Sequence, residues 1–124
     1  KLPVKVVIYN NGTLGFVALE MKAAGFVEHG TDLENPDFAA MAKAMGIRGI
    51  RVEDPGELPG AVSEFLKHDG PAVLDVVTAK QELSMPPTIG LEQVKGFSVW
   101  VIRAVMSGRG DEVIDLAKEN LLPR

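Results

Sequence analysis

Residues 3–20, PVKVVIYNNGTLGFVALE, constrain this chain more than any other stretch, because within them an apolar strand passes through four turn residues into a helix. Val4, Val6, Val7, Ile8 and Tyr9 form a run dense in β-branched and aromatic side chains. A strand covered on both faces reads this way, as in a parallel sheet. Asn10-Asn11-Gly12-Thr13 stops the run, after which Leu14, Val17, Ala18 and Met21 fall at helical spacing. In α/β sheets the turn leaving the carboxyl end of a strand is where ligands sit. An Asn carboxamide supplies a hard oxygen, and Gly12 lets the backbone bend so that a nearby carbonyl points at the same spot. Oxygens of this kind suit Mg²⁺ or Ca²⁺, and Mg²⁺ commonly completes its shell with phosphate oxygens and water. The same four residues also make an ordinary turn, since Asn and Gly dominate turns for conformational reasons.

The remainder reads as alternating helices and strands. A first helix over 15–24 ends at Gly25, a residue suited to a left-handed cap. Phe16 and Glu20 lie one helical turn apart on one face, either as site residues or as a core Phe and a solvated Glu. The helix start can meet an anion through its N–H groups. Residues 26–35 read as a loop, and His29 within it is given no role. Asn35 is placed as the N-cap and Pro36 as the first residue of a second helix, with Phe38, Met41, Ala42 and Met45 as a packing stripe and Gly46 as its end. Residues 47–52 form a second strand with Ile50 and Val52 inward. Asp54-Pro55 opens a third helix running to about His68, with Leu58, Ala61, Val62, Phe65 and Leu66 facing the sheet; His68 is given no role. Residues 72–78, AVLDVVT, form a third strand covered on both faces, whose Asp75 is hydrogen-bonded or edge-facing rather than catalytic. The order predicts an α/β fold: a parallel three-stranded sheet with flanking helices and right-handed crossovers.

Beyond Thr78 the character changes. Residues 79–93, with Met85-Pro86-Pro87 and Gly90, make a stiff linker loop. Residues 94–106 form a helix apolar nearly all round, which must be buried on more than one side and so argues for a partner subunit or a further domain. It is too short to span a bilayer and Arg103 interrupts it. After the joint at Ser107-Gly108-Arg109-Gly110, residues 111–122 form an amphipathic helix with Val113, Leu116, Ala117 and Leu121 on one face and Ile114 beside them. That helix is net acidic, whereas helices lying on membranes are usually rich in Lys and Arg. The formal net charge of -4, with no cluster of basic residues, speaks against a nucleic-acid partner. The absence of Cys excludes disulfides and thiolate chemistry.

The string VVIYNNGTLGF resembles the second half of the thiamine-diphosphate binding motif, in which a GDG is followed by a strand ending in NN. Together with LGFVALEMK and VKGFSVWVIRAVMSGRGDEVIDLAKENL, it is similar over essentially the whole chain to the bacterial ubiquinone-dependent pyruvate dehydrogenases (pyruvate oxidases). The resemblance implies that Asn11 and the Thr13 carbonyl coordinate the Mg²⁺ carrying the cofactor diphosphate. Gly12, Leu14 and Gly15 then complete the cofactor-binding segment, and Phe16 and Glu20 lie near the substrate and the flavin. It implies that 1–78 is the C-terminal half of a pyrophosphate-binding domain, 79–93 a linker, and 94–124 a helical end. Within that end, 111–122 (Val113, Ile114, Leu116, Ala117, Leu121) is released to bind phospholipid.

The implied reaction converts pyruvate to acetate and carbon dioxide and passes electrons through FAD to ubiquinone. The implied setting is a cytoplasmic homo-oligomer, a homotetramer, peripheral on the inner face of the cell membrane. No GDG precedes Lys1, so the resemblance also implies a C-terminal piece of a longer enzyme. Most of the FAD site would then lie in the N-terminal domains, one side of the sheet would be uncovered, and the isolated chain would show no turnover. Leu121, in place of an aromatic, and Pro123 depart from the family pattern. A sister enzyme, such as acetolactate synthase or another keto-acid decarboxylase, would share the NN turn but not GRGDEVIDLAKENL. A non-catalytic, lipid-responsive interaction module is the reading from another class.

Overall fold

The computed structural model of the protein describes residues 2–81 and 90–121, with backbone alone at 121. Met85-Pro86-Pro87 of the expected linker lie outside the described residues. The chain divides into two compact units, one of residues 1–12 and 34–78 and one of residues 13–33 and 79–124.

The first unit is the sheet. Strands β1 (Lys5–Asn10), β2 (Arg48–Val52) and β3 (Ala72–Val77) are all parallel in the order β1-β3-β2, as the alternation of elements predicts. Register sets Ile8, Asp75 and Arg51 side by side, and Val7, Leu74 and Ile50 side by side. Successive strand residues point to opposite faces, so these two rows belong to opposite sides of the sheet. Val52, Ala72 and Leu74, with Ile50 and Val76, pack on Phe65, Leu58 and Ala61 of α3 (Leu58–Lys67). The other face receives α2 (Phe38–Ala44) at such close range that a methyl on Gly49 would lie 2.0 Å from the Ala39 carbonyl oxygen.

Several expectations about this unit are corrected. The α2 contact is too close for long side chains, so Ala39 and Ala42 fill it while Met41 and Met45 stay exposed. Asp37, not Asn35, caps α2: its carboxylate accepts the Ala40 N–H at 2.8 Å, and Pro36 precedes the helix. The third helix begins with a 3₁₀ turn, Pro55–Glu57, which Asp54 caps through the Gly56 N–H at 2.8 Å. Pro59 then falls in the first turn of α3, where its missing N–H is harmless. Only the 58/61/65 stripe of that helix meets the sheet, leaving Val62 and Leu66 exposed. Asp75 is not edge-facing, because β3 is the central strand. Finally, β1 is not covered on both faces. The helices lie over β2 and β3, so Val6 and Val7 are exposed and Tyr9 is 77% accessible.

The second unit is helical: α1 (Gly15–Ala23), α4 (Leu91–Met106) and α5 (Gly110–Leu121). Helix α1 ends at Gly25, whose φ of +81° turns the chain left-handed so that the Phe26 N–H reaches the Met21 carbonyl at 2.8 Å. Helices α1 and α4 touch at Gly96, where a methyl would stand 1.7 Å from the Ala23 carbonyl oxygen. Trp100 and Ala104 are buried on this side, whereas Val101, Ile102, Val105 and Met106 are exposed, so within this unit α4 is covered along one stripe. Among the described residues no helix is long and apolar enough to cross a membrane.

Candidate cofactor-binding turn

Strand β1 ends on Asn10, two residues beyond Ile8 and therefore on the same side of the sheet as Asp75. Asp75 is 0% exposed, and a carboxylate so placed must be paired or hydrogen-bonded. The Asn10 Nδ2 donates to its Oδ1 at 3.1 Å and the Arg51 Nη1 donates to its Oδ2 at 2.7 Å. Arg51 also donates from Nε to the Glu53 carboxylate at 2.7 Å. Glu53 first, and Asp75 after it, hold the Arg51 guanidinium even more firmly protonated than usual, against the opposing effect of burial. A carboxylate facing two donors accepts from both, so the Asn10 amide group must face Asp75 and its carbonyl must face away. That carbonyl accepts from the Asn35 Nδ2 at 2.8 Å. Asn10 is thus engaged at both ends. Asn11, half-buried, follows it, and then Gly12 at φ +64°, a conformation open to glycine at no steric cost.

The helical unit begins at Thr13. Thr13 is buried and bridges antiparallel to Asp32. Its Oγ1 donates to the Thr31 carbonyl at 3.1 Å, and the Leu14 N–H donates to the same oxygen at 2.8 Å. Leu14 is exposed and provides no side-chain cap to α1, which opens at Gly15. One turn apart on that helix, Phe16 is 73% exposed and Glu20 is exposed. The core alternative for Phe16 therefore fails, and Glu20 is solvated.

Strand β1 thus ends in an Asn hydrogen-bonded through both Nδ2 and Oδ1, followed by a second Asn, a left-handed Gly and then a helix. Residues 1–76 match the family described as the thiamine pyrophosphate (TPP) enzyme C-terminal TPP binding domain. This chain belongs to that family. It is 37% identical over 118 residues to YdaP of Bacillus subtilis (strain 168), provisionally named a thiamine pyrophosphate-containing protein, covering 95% of this chain and 20% of YdaP. It is 37% identical over 91 residues to the mitochondrial acetolactate synthase catalytic subunit of Saccharomyces cerevisiae, covering 71% of this chain and 13% of that protein. With the chloroplastic acetolactate synthase 2 of Zea mays the identity is 34% over 95 residues, 68% of this chain and 15% of the relative. The chain thus spans a fifth or less of the length of these relatives.

The donor types in this turn fit one part of a Mg²⁺–diphosphate site. Asn11 and a backbone carbonyl at Thr13 are neutral, hard oxygens, which Mg²⁺ accepts alongside phosphate and water. Among the described residues no group of three His, Cys, Asp or Glu side chains is gathered to hold a metal ion.

The sequence reading missed two polar clusters. Asp75, Arg51 and Asn35 gave one available signal: a lone carboxylate inside an apolar strand needs partners, and Arg51 stands between Ile50 and Val52 in the neighbouring strand. The second, in the helical unit, is centred on Glu28, which binds Lys22, accepts from the Trp100 Nε1 at 3.2 Å and lies 3.8 Å from the Arg109 Nη2. Burial works to raise the Glu28 carboxyl, but Lys22 and Trp100 outweigh it and hold the group below its ordinary value. Arg109 also donates to the Glu28 backbone carbonyl at 2.8 Å and pairs with Glu112 of α5 at 2.6 Å, which fastens the start of α5. Along α5, Val113, Leu116 and Ala117 are half-buried and Ile114 is 55% exposed, while the Leu121 side chain lies outside the described residues.

Proposed function

We propose that this chain is the part of a thiamine-diphosphate-dependent keto-acid enzyme that seats the Mg²⁺–diphosphate end of the cofactor. The observation that carries the reading is the turn Asn10-Asn11-Gly12-Thr13 at the carboxyl end of a parallel strand, in a chain of the TPP-binding family. Asn11 through its carboxamide and Thr13 through its carbonyl would hold the metal, with Gly12, Leu14 and Gly15 lining the diphosphate. When bound, thiamine diphosphate supplies the carbanion and electron-sink chemistry of decarboxylation, which no side chain can provide. Phe16 and Glu20, exposed on α1, would border the substrate: Phe16 excludes water with an apolar surface and Glu20 orients the reacting group by hydrogen bonding.

The finer reading is pyruvate oxidation to acetate and carbon dioxide, with electrons passed through FAD to ubiquinone. The most extensive support is the family resemblance of the sequence through GRGDEVIDLAKENL. In this reading the protein works as a homo-oligomer at the cytoplasmic face of the membrane, and α5 offers Val113, Ile114, Leu116, Ala117 and Leu121 to phospholipid. Acetolactate synthesis is the second reading, favoured by the names of the yeast and maize relatives.

The test is to incubate the full-length protein that carries this chain with pyruvate, thiamine diphosphate, Mg²⁺ and a quinone. Acetate formed with stoichiometric quinone reduction supports the oxidase. Acetolactate formed without quinone reduction replaces it with the second reading, and no cofactor binding at all sinks both.

A further inference from the structure

We propose that Thr31 is a positioning residue for the cofactor turn: its backbone carbonyl fixes the direction in which Thr13 presents its own carbonyl. This rests on the reading of the Thr13 carbonyl as a metal ligand and goes beyond it by naming what aims that ligand.

The connection is covalent geometry. The Thr13 carbonyl and the Leu14 N–H belong to one peptide unit, which is planar and trans, so the two groups point in opposite directions. The Leu14 N–H donates to the Thr31 carbonyl at 2.8 Å, and the Thr13 carbonyl oxygen is thereby turned away from that residue. The Thr13 Oγ1 donates to the same acceptor at 3.1 Å. Both lone pairs of the Thr31 oxygen are thus taken, one by the side chain of Thr13 and one by the peptide that follows it. Thr13 and Thr31 are 7% and 4% exposed, so water is a poor substitute for either bond. The acceptor is itself held from upstream. The Glu28 carbonyl accepts from the Arg109 Nη1 at 2.8 Å, and the Glu28 carboxylate is bound by the buried Lys22. Mg²⁺ demands near-ideal octahedral geometry, and a backbone carbonyl has no side-chain torsion with which to adjust to it. Such a ligand depends on the hydrogen bonds made by its own peptide.

The experiment uses the full-length protein and reads thiamine diphosphate binding by calorimetry, once against Mg²⁺ and once against Ca²⁺. Leu14→Pro deletes the N–H that reaches Thr31. Leu14 has φ −78°, which a proline ring accepts, and Thr13, extended in its bridge to Asp32, has the backbone that suits a residue before proline. Leu14→Ala keeps the N–H and measures the side chain's share. Relative to Leu14→Ala, Leu14→Pro is expected to raise the Mg²⁺ concentration for half-maximal binding about tenfold. The Ca²⁺ concentration should rise less, because Ca²⁺ accepts irregular coordination, whereas a merely structural loss would raise both alike. Thr13→Val should raise the Mg²⁺ requirement further than Thr13→Ser, which keeps the hydroxyl. Wild-type protein that binds no thiamine diphosphate, or binds it without a metal, would overturn the functional reading beneath the proposal. Wild-type Mg²⁺-dependent binding, with Leu14→Pro needing no more Mg²⁺ than Leu14→Ala or with equal rises for the two ions, would overturn the proposal alone. Should Leu14→Pro fail to fold, the Thr13 pair decides, and equal Mg²⁺ requirements in Thr13→Val and Thr13→Ser would overturn it.

Discussion

Replacing Gly49 by Ala tests how tightly α2 is seated on the sheet. The new methyl would stand 2.0 Å from the Ala39 oxygen and 2.8 and 2.9 Å from its carbonyl carbon and Cα. Ordinary contact lies near 3.5 Å, so α2 would have to withdraw by about 1.5 Å. The obstruction is backbone on both sides, so no rotamer change relieves it. Overpacking costs about 1–3 kcal/mol, and this geometry places the cost at the upper end. The gain from restricting the unfolded chain returns about 0.4–1 kcal/mol, which leaves a net loss of about 2 kcal/mol. With a urea dependence of about 1–3 kcal/mol/M, the unfolding midpoint should fall by about 1 M. Gly60→Ala is the matched control, since nothing lies within 4 Å of a methyl there and the position is helical. It should stabilise by about 0.5–1 kcal/mol. If circular dichroism gave Gly49→Ala the midpoint of the unmutated chain, the close seating of α2 would be refuted.

Further outcomes follow from the same structure. Leu74→Ala, at a core position 2% exposed, should cost about 2–5 kcal/mol by urea unfolding, whereas Met45→Ala, at the exposed residue just past α2, should stay within about 0.5 kcal/mol. The Glu28 carboxyl is lowered from its ordinary 4.5, so its contribution is complete above that pH and fades as pH falls through the lower folded value. Melting temperature followed from pH 6 downward should therefore drop less steeply below about 4.5 in Glu28→Gln than in the unmutated protein, and parallel curves would contradict the pairing with Lys22. Asn11→Ala in the full-length protein should weaken Mg²⁺-dependent thiamine diphosphate binding by about tenfold or more. Equal binding would remove Asn11 from the ligand set.

The strands and helices were legible because β-branched runs and helical spacing are local signals, and each run in the sequence became an element of the expected type. What escaped depends on residues far apart in the chain. Asn10 meets Asp75 across 65 positions and Asn35 across 25, so neither partner could be read from the turn itself. Asn-Pro suits a helix cap at Asn35, yet Asp37 takes that place and frees Asn35 for Asn10. Met41 and Met45 looked like core, but the depth of the α2 contact is set by the bare backbone of Gly49, a quantity that hydrophobic spacing does not carry. The turn residues alone read either as a set of hard oxygens or as an ordinary turn, and the anchoring of Asn10 is visible only in three dimensions.

The two units are interleaved in sequence, since the chain changes unit after Gly12, after Leu33 and after Thr78. No single cut yields the sheet as one uninterrupted polypeptide, so terminal truncation is the wrong tool for isolating it. The Asn10–Asn35 hydrogen bond, however, brings the two loose ends of the sheet unit within side-chain reach. A brief Gly-Ser splice joining Gly12 directly to Glu34, with a stop after Thr78, would excise the insertion and deliver the three strands with α2 and α3 as a minimal scaffold.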